Sequence, residues 1–308
     1  MELSISETAS LWLDNIKPSV KSSTLSVYGY ALTKHILPYF GNLSFIKEED
    51  INAFIAYKLD NGLSMKSIID LLVVLRMICK FGERKKHLSV SDWRIPVKLY
   101  RANKKLEVLS FKNYTILLDH VSKNISLKNL GIYISLCTGL RIGEVCGLKW
   151  CDIDILEGTL SINRTVERLY IASDVPPRTR LIISSPKTIS SHRVIPLPGS
   201  LLLILRKMKC KHEANCYVVT GTLKPTEPRS YRNYYYSICK RLGLPRLKFH
   251  ALRHSFATLC VDTNQDYKVL SSIMGHSDIV TTLNLYVHPG LEQKRRCIDN
   301  LLYGLLPK

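Results

Sequence analysis

Acidic residues are scarce in this 308-residue chain: 25 Asp and Glu stand against 44 Lys and Arg, a formal charge of +19. Long apolar runs are missing too. The longest, Leu71–Leu75 and Leu201–Leu205, fall far short of the roughly 20 residues a membrane-spanning helix needs. The first residues place Glu2 and Glu7 ahead of any lysine, so no secretory signal pattern is present. There is no lipidation motif, basic amphipathic helix, internal repeat or low-complexity tract. The nine cysteines are an odd number without dense spacing, which argues against a disulfide framework and for free thiols in a reducing compartment. With the membrane set aside, a surplus of positive charge points to a polyanionic partner, nucleic acid first.

What is present is an ordinary globular composition, 46% hydrophobic and 22% charged, in a chain long enough for about two domains. The charge divides the same way. Residues 1–100 hold 13 basic and 10 acidic side chains, whereas residues 101–308 hold 31 and 15. The polar, basic stretch Tyr100-Arg101-Ala102-Asn103-Lys104-Lys105 reads as a linker. We therefore expect one domain over residues 1–100, a linker over 101–106 and a second domain with a C-terminal helix over 107–308.

Apolar spacing in the first hundred residues predicts four helices. The first is capped by Ser6 and ended by Pro18, and the second starts at Thr24 with Pro38 near its end. The third carries Ile51 to Leu59, and the fourth starts at Ser64. Short loops join them into a bundle. Beyond residue 107 the pattern is mixed. Helices are expected at 110–124, 128–137, 140–146, 199–209, 231–242, 250–261, 267–274, 278–286 and 291–305. Strands are expected at 159–163, 180–184 and 192–197, with Pro186-Lys187-Thr188 in the turn between the last two. The fold class is thus mainly α with a small antiparallel β-sheet, an α+β protein.

The chemistry-bearing residues are weak signals singly and strong together. Arg141 and Glu144 share one face of a short helix at i, i+3, as do His250 and Arg253. Between them comes Lys187, and after them His276 and, ten residues on, Tyr286. Two guanidiniums, an ammonium, two imidazoles and a phenol suit a phosphodiester. Guanidiniums grip phosphate oxygens bidentately and stabilise a pentacoordinate transition state. A phenol attacks phosphorus once a base removes its proton, and a lysine can protonate the leaving 5′ oxygen.

These strings resemble the tyrosine recombinases, the phage-integrase family. The match is carried by Thr138-Gly139-Leu140-Arg141-Ile142-Gly143-Glu144-Val145, by Pro186-Lys187-Thr188 with His192-Arg193-Val194-Ile195-Pro196-Leu197, by His250-Ala251-Leu252-Arg253-His254-Ser255-Phe256-Ala257-Thr258, and by Met274-Gly275-His276-Ser277-Asp278 through Tyr286. The resemblance implies an N-terminal SAM-like core-binding bundle ahead of a mixed α/β catalytic domain. It implies that Arg141 and Arg253 hold the scissile phosphate and that Lys187 protonates the 5′ hydroxyl. His250 would serve as acid/base near the nucleophile, His276 would bond the phosphate, and Glu144 would orient Arg141. Tyr286 would form a 3′-phosphotyrosyl intermediate. The covalent step keeps the phosphodiester energy, so exchange through a Holliday junction would proceed without ATP, metal or other cofactor.

Other residues carry plainer readings. His254 reads as structural, His288 as incidental, and Cys137, Cys146 and Cys151 as small hydrophobes. Cys210, His212 and Cys216 lack the second pair a zinc site needs. Arg178 and Arg180 before and within a strand, Arg193, and Arg229, Arg232 and Lys240 around a tyrosine cluster are the expected DNA-contact residues. Leu291, Ile298, Leu301, Leu302, Leu305 and Leu306 form a terminal apolar stripe, expected to dock on a neighbouring subunit and support a tetramer on double-stranded DNA carrying a specific site. Accessory DNA-bending or excision factors would join it, in the bacterial cytoplasm at the nucleoid. The chain opens directly on the bundle, so no arm-binding domain is expected before it. Integration and excision of a mobile element is the preferred role. The alternatives are Xer-like dimer resolution, a type IB topoisomerase-like or resolvase-like strand transferase, and, last, a non-enzymatic regulator.

The charge surplus beyond the phosphate-chemistry residues is what a clamp around duplex backbone requires. The logarithm of DNA affinity is therefore expected to fall steeply and linearly with the logarithm of salt concentration, by counterion release. A nearly flat plot from equilibrium binding in graded NaCl would contradict this.

Overall fold

The computed structural model describes residues 3–86, 89–90, 93–95, 106–171, 179–186, 191–263, 265–286 and 295. The chain divides into two compact units. One comprises Met1–Lys104 with Arg168–Leu181, and the other Lys105–Glu167 with Ile182–Lys308.

The first unit is a helical bundle. Helix α1 (Ile5–Ile16) is capped by Ser4, whose hydroxyl accepts from the Glu7 amide while Glu7 bonds back to the Ser4 amide. This reciprocal cap satisfies two amides that a helix start leaves orphaned, and it lies two residues before the Ser6 that spacing alone favours. Helix α2 (Ser22–Ala31) runs through a wider π turn at Leu32–Ile36 into α3 (Leu37–Phe40). Pro38 accounts for the widening, because its ring cannot donate and would strike the carbonyl one turn back. A two-residue strand β1 (Phe45–Ile46), α4 (Glu48–Asp60), α5 (Met65–Arg84) and strand β2 (Ser89–Val90) follow, with β1 and β2 parallel. Trp12, Phe40, Phe54, Leu72, Leu75 and Ile78 fill the core. The segment 168–181 belongs to this unit, where the Tyr170 amide donates to Ser26 and its hydroxyl meets Thr33 at 3.0 Å.

The second unit is built around α7 (Leu127–Thr138), which is buried on nearly every side and so behaves as a core helix rather than an amphipathic one. It packs against α6 (Phe111–Lys123), the short α8 (Ile142–Gly147) and α11 (His250–Asp262). A three-stranded antiparallel sheet has β4 (Thr159–Ile162) at its centre, between β3 (Ile153–Asp154) and β7 (Arg193–Pro196). The register sets Leu160 opposite Ile195, both buried. A strand that the sequence pattern did not announce, β5 (Thr165–Tyr170), pairs with β6 (Thr179–Ser184), and each of these two strands has residues in both units. The expected turn from β6 to β7 therefore joins strands of two different sheets. Burial along β6 is slight and unpatterned, so its side chains carry little that would fix a partner. Helices α9 (Gly199–Lys209), α10 (Pro228–Arg241), α12 (Tyr267–Met274) and α13 (Ile279–Tyr286) complete the unit. The linker expected at 101–106, apart from Leu106, and the terminal helix expected at 291–305, apart from Arg295, lie outside the described residues. No described helix is long and apolar enough to cross a membrane.

Gly139 ends α7 in the left-handed region at φ 66°. A Cβ there would stand 2.8 Å from the Phe256 ring and 2.9 Å from the Met274 sulfur. Gly139→Val therefore combines left-handed strain with overpacking and should cost about 2–4 kcal/mol, lowering the midpoint of thermal unfolding by at least about 5 °C. Gly199→Ala, where a Cβ meets nothing within 4 Å, is the control and should leave the midpoint unchanged.

Candidate active site

The site is assembled around a buried guanidinium. Arg253, on the first turn of α11, is 2% exposed. Its Nη1 donates to the Gly139 carbonyl at 2.9 Å and its Nη2 to the Met274 carbonyl at 2.5 Å. Those carbonyls end α7 and α12, and helix C-termini carry partial negative charge. Two helix ends therefore converge on one cation. Burial first, then Arg141, pulls the Arg253 pKa down to about 9, which leaves the group charged at neutral pH.

A second knot surrounds Glu144, 4% exposed. Its carboxylate accepts from Arg141 Nη1 at 2.8 Å and from the Arg141 amide at 3.0 Å. It also accepts from Arg193 Nη2 at 3.0 Å and Nη1 at 3.3 Å. Burial pushes this carboxyl up, but the two guanidiniums outweigh it and hold the pKa below the usual carboxylate range. The i, i+3 pair that could pass for a surface ion bridge is a buried network. Arg193 departs from its expected part as a DNA-contact residue. Its side chain is 6% exposed and is also committed through Nε to the Ile273 carbonyl at 2.6 Å, so it braces the site from within. Arg180, Arg229, Arg232 and Lys240 are exposed, while Arg178 lies outside the described residues.

Arg141, Glu144 and His276 line one cleft of about 390 Å³, together with Thr165, Pro186, Ser191 and Thr281. Arg253, His250 and Tyr286 are not among its lining residues. Lys187, next to Pro186, lies outside the described residues. His276 Nδ1 stands 2.7 Å from the hydroxyl of the fully buried Thr282, which fixes the ring plane. Desolvation, then Arg253 and Arg141, lower its pKa to about 4.

Tyr286 closes α13 and is buried against Ala257, Val261, Leu270 and Met274. Its ring stacks parallel to His276 at 6.4 Å between centroids. Burial raises the phenol pKa, and Arg253 and Arg141 oppose that. The group that touches the phenol is not His250 but His254, one turn further along α11, with Nδ1 2.8 Å from the hydroxyl oxygen. His250 meets the edge of the His254 ring at 4.5 Å and is exposed. His254, read from sequence as structural, makes a contact that only the packing of α11 on α13 creates. His212, weighed with Cys210 and Cys216 as a metal-like group, stacks on Trp150 at 5.1 Å between centroids. Cys146 is buried as a small hydrophobe should be, but Cys151 is exposed.

A histidine whose folded pKa lies near 4 binds a proton in the unfolded chain, at about 6.5, before it does in the folded one. Its contribution to stability is complete above about pH 6.5 and is lost as pH falls toward 4. Thermal midpoints measured across pH 4–7 should therefore drop on acidification. His276→Gln should flatten that dependence, and an unchanged slope would refute the assignment.

Comparison with known proteins identifies the family. Residues 107–292 match the phage integrase family, and residues 4–59 match the phage integrase N-terminal SAM-like domain. A tyrosine recombinase XerC-like protein of Caldanaerobacter subterraneus subsp. tengcongensis is 33% identical over 53% of this chain, a span that covers 46% of that relative. The ICEBs1 integrase of Bacillus subtilis is 22% identical over 95% of this chain and 81% of its own length. In fold, the Tn1549 transposon integrase in complex with transposon right end DNA superposes with a TM-score of 0.77 at 21% identity, covering 97% of this chain and 100% of that one. A lambda integrase in a tetramer bound to a Holliday junction gives 0.64 at 18% identity, over 94% and 80%. With the family match running over more than half its length, through Arg141, Arg253 and Tyr286, this chain belongs to the phage integrase family of tyrosine recombinases.

Proposed function

We propose that the chain is a site-specific DNA recombinase that cuts and rejoins duplexes through a 3′-phosphotyrosyl bond on Tyr286 and a Holliday junction, in the service of a mobile element. The observation that carries this reading is that the Tyr286 ring stacks on His276, which lines one cleft with Arg141, whose guanidinium Glu144 holds.

The roles follow from geometry and chemistry. Arg141 presents its guanidinium in the cleft while Glu144 fixes the other side of it. Arg253 commits two of its N–H groups to carbonyls, and its other N–H groups are the donors for a phosphate oxygen. Both cations face charge that grows on the phosphoryl oxygens during attack, where preorganised donors are most effective. His276, its ring set by Thr282, offers its other nitrogen to the same phosphate. Lys187 is the acid for the 5′ oxygen. Because one phosphodiester is exchanged for another, reversal needs no energy source. DNA is the partner, and the chain works as a tetramer built through its C-terminal segment. Its place of action is the cytoplasm at the nucleoid, with accessory factors setting direction.

The near full-length resemblance to the ICEBs1 and Tn1549 integrases supports the mobile-element role. The XerC-like relative supports dimer resolution as the second reading. Trapping covalent adducts on genomic DNA and sequencing the attached ends separates the two: element boundaries support integration, and a single chromosomal locus supports resolution. In the same assay Tyr286→Phe should abolish adducts while leaving DNA binding within about twofold. Adducts that persist in this variant would end the proposal.

A further inference from the structure

The imidazole in contact with the candidate nucleophile is not the one at the head of the His-x-x-Arg motif. His254 Nδ1 lies 2.8 Å from the Tyr286 oxygen, with the two rings tilted by 50° and their centroids 5.7 Å apart. His250 meets the His254 ring edge-on, at 4.5 Å between centroids. On these distances, and resting on the recombinase reading above, we infer that His254 is the base that takes the Tyr286 proton during strand cleavage.

The surroundings suit that task. His254 is faced by His250 and Arg253 from its own helix, by Tyr286 from α13 and by His276 beyond α12. Partial burial, then Arg253, lower its pKa below the ordinary imidazole value, so at neutral pH it is uncharged and has a lone pair on one ring nitrogen. That lone pair accepts from the phenol when Nδ1 is bare and Nε2 carries the hydrogen. Proton transfer to so weak a base is uphill from a resting phenol. It becomes downhill as the oxygen bonds to phosphorus and loses its basicity, which is the condition under which a positioned base accelerates a reaction.

The step balances. The Tyr286 oxygen forms a bond to phosphorus, the phosphorus–O5′ bond breaks, the phenol proton passes to His254 Nδ1, and O5′ takes a proton from the acid assigned to Lys187. In religation the 5′ hydroxyl attacks and His254 returns its proton to the tyrosine oxygen.

The test uses the full chain and a nicked duplex carrying the junction recovered from the trapped adducts. Single-turnover adduct formation is followed from pH 6 to 9 for the wild type, His254→Gln and His254→Ala. The expected result is a loss of about 100-fold or more at pH 7, with duplex affinity within about twofold. In both variants the rate should climb about tenfold per pH unit as the phenol ionises unaided, while the wild type levels off. Added imidazole should restore part of the rate to His254→Ala. A wild-type pH profile in His254→Gln, or a deficit equal at every pH, would overturn the inference by reducing His254 to packing. A wild type that forms no adduct would instead strike the recombinase reading. Independently of DNA, ¹⁵N spectra of the histidine side chains should show His254 Nδ1 without hydrogen, and a protonated Nδ1 would overturn the inference directly.

Discussion

A single buried cation organises the catalytic half of this protein. Stripping water from a guanidinium costs several kcal/mol unless its hydrogens are met, and Arg253 is met by the terminal carbonyls of α7 and α12. That requirement fixes much else. Both helices must end beside α11, and both end in left-handed glycines, Gly139 and Gly275, because that conformation turns the chain away while leaving the last carbonyls exposed. With α11 pinned at its first turn, His250 and His254 are placed in turn, and the short run from Gly275 to α13 brings His276 and Tyr286 alongside. A loss at Arg253 would therefore be felt as lost architecture as well as lost charge.

The second organising pair is Glu144 with its two arginines. A buried carboxylate between two guanidiniums is neutralised from both sides, so it can hold Arg141 in one direction without competing for a substrate anion. Arg193 extends that hold to β7 and, through the Ile273 carbonyl, to α12. The two knots thus meet at neighbouring residues, Ile273 and Met274, and the Arg141–Glu144 ion pair lines the cleft. Rigid donors of this kind need not reorganise when charge develops on a phosphate.

Much of this was legible in sequence, and for identifiable reasons. Helices α5 and α6 announced themselves because apolar period and capping residues coincide, at Ser64 and Ser110. The i, i+3 pairs were readable because a helix puts such residues on one face. What escaped has an equally plain cause. The period of β4 marks it as a strand, but the partners of β6 and β7 depend on distant packing. Arg193 reads as one more surface cation, since nothing local tells a buried arginine from an exposed one. His254 follows Arg253 directly in the chain, and its meeting with Tyr286 spans 32 residues, a separation at which spacing carries no signal.

By itself, then, the sequence determined the charge surplus, the helical composition and the set of groups able to handle a phosphodiester, because charge, period and residue type are local properties. Only the tertiary structure decided which imidazole touches the phenol, which arginine braces Glu144 and which two carbonyls hold Arg253. Each of those contacts joins elements far apart in the chain. Their geometry is set by how α7, α11, α12 and α13 bury one another, and no property of a single segment encodes it.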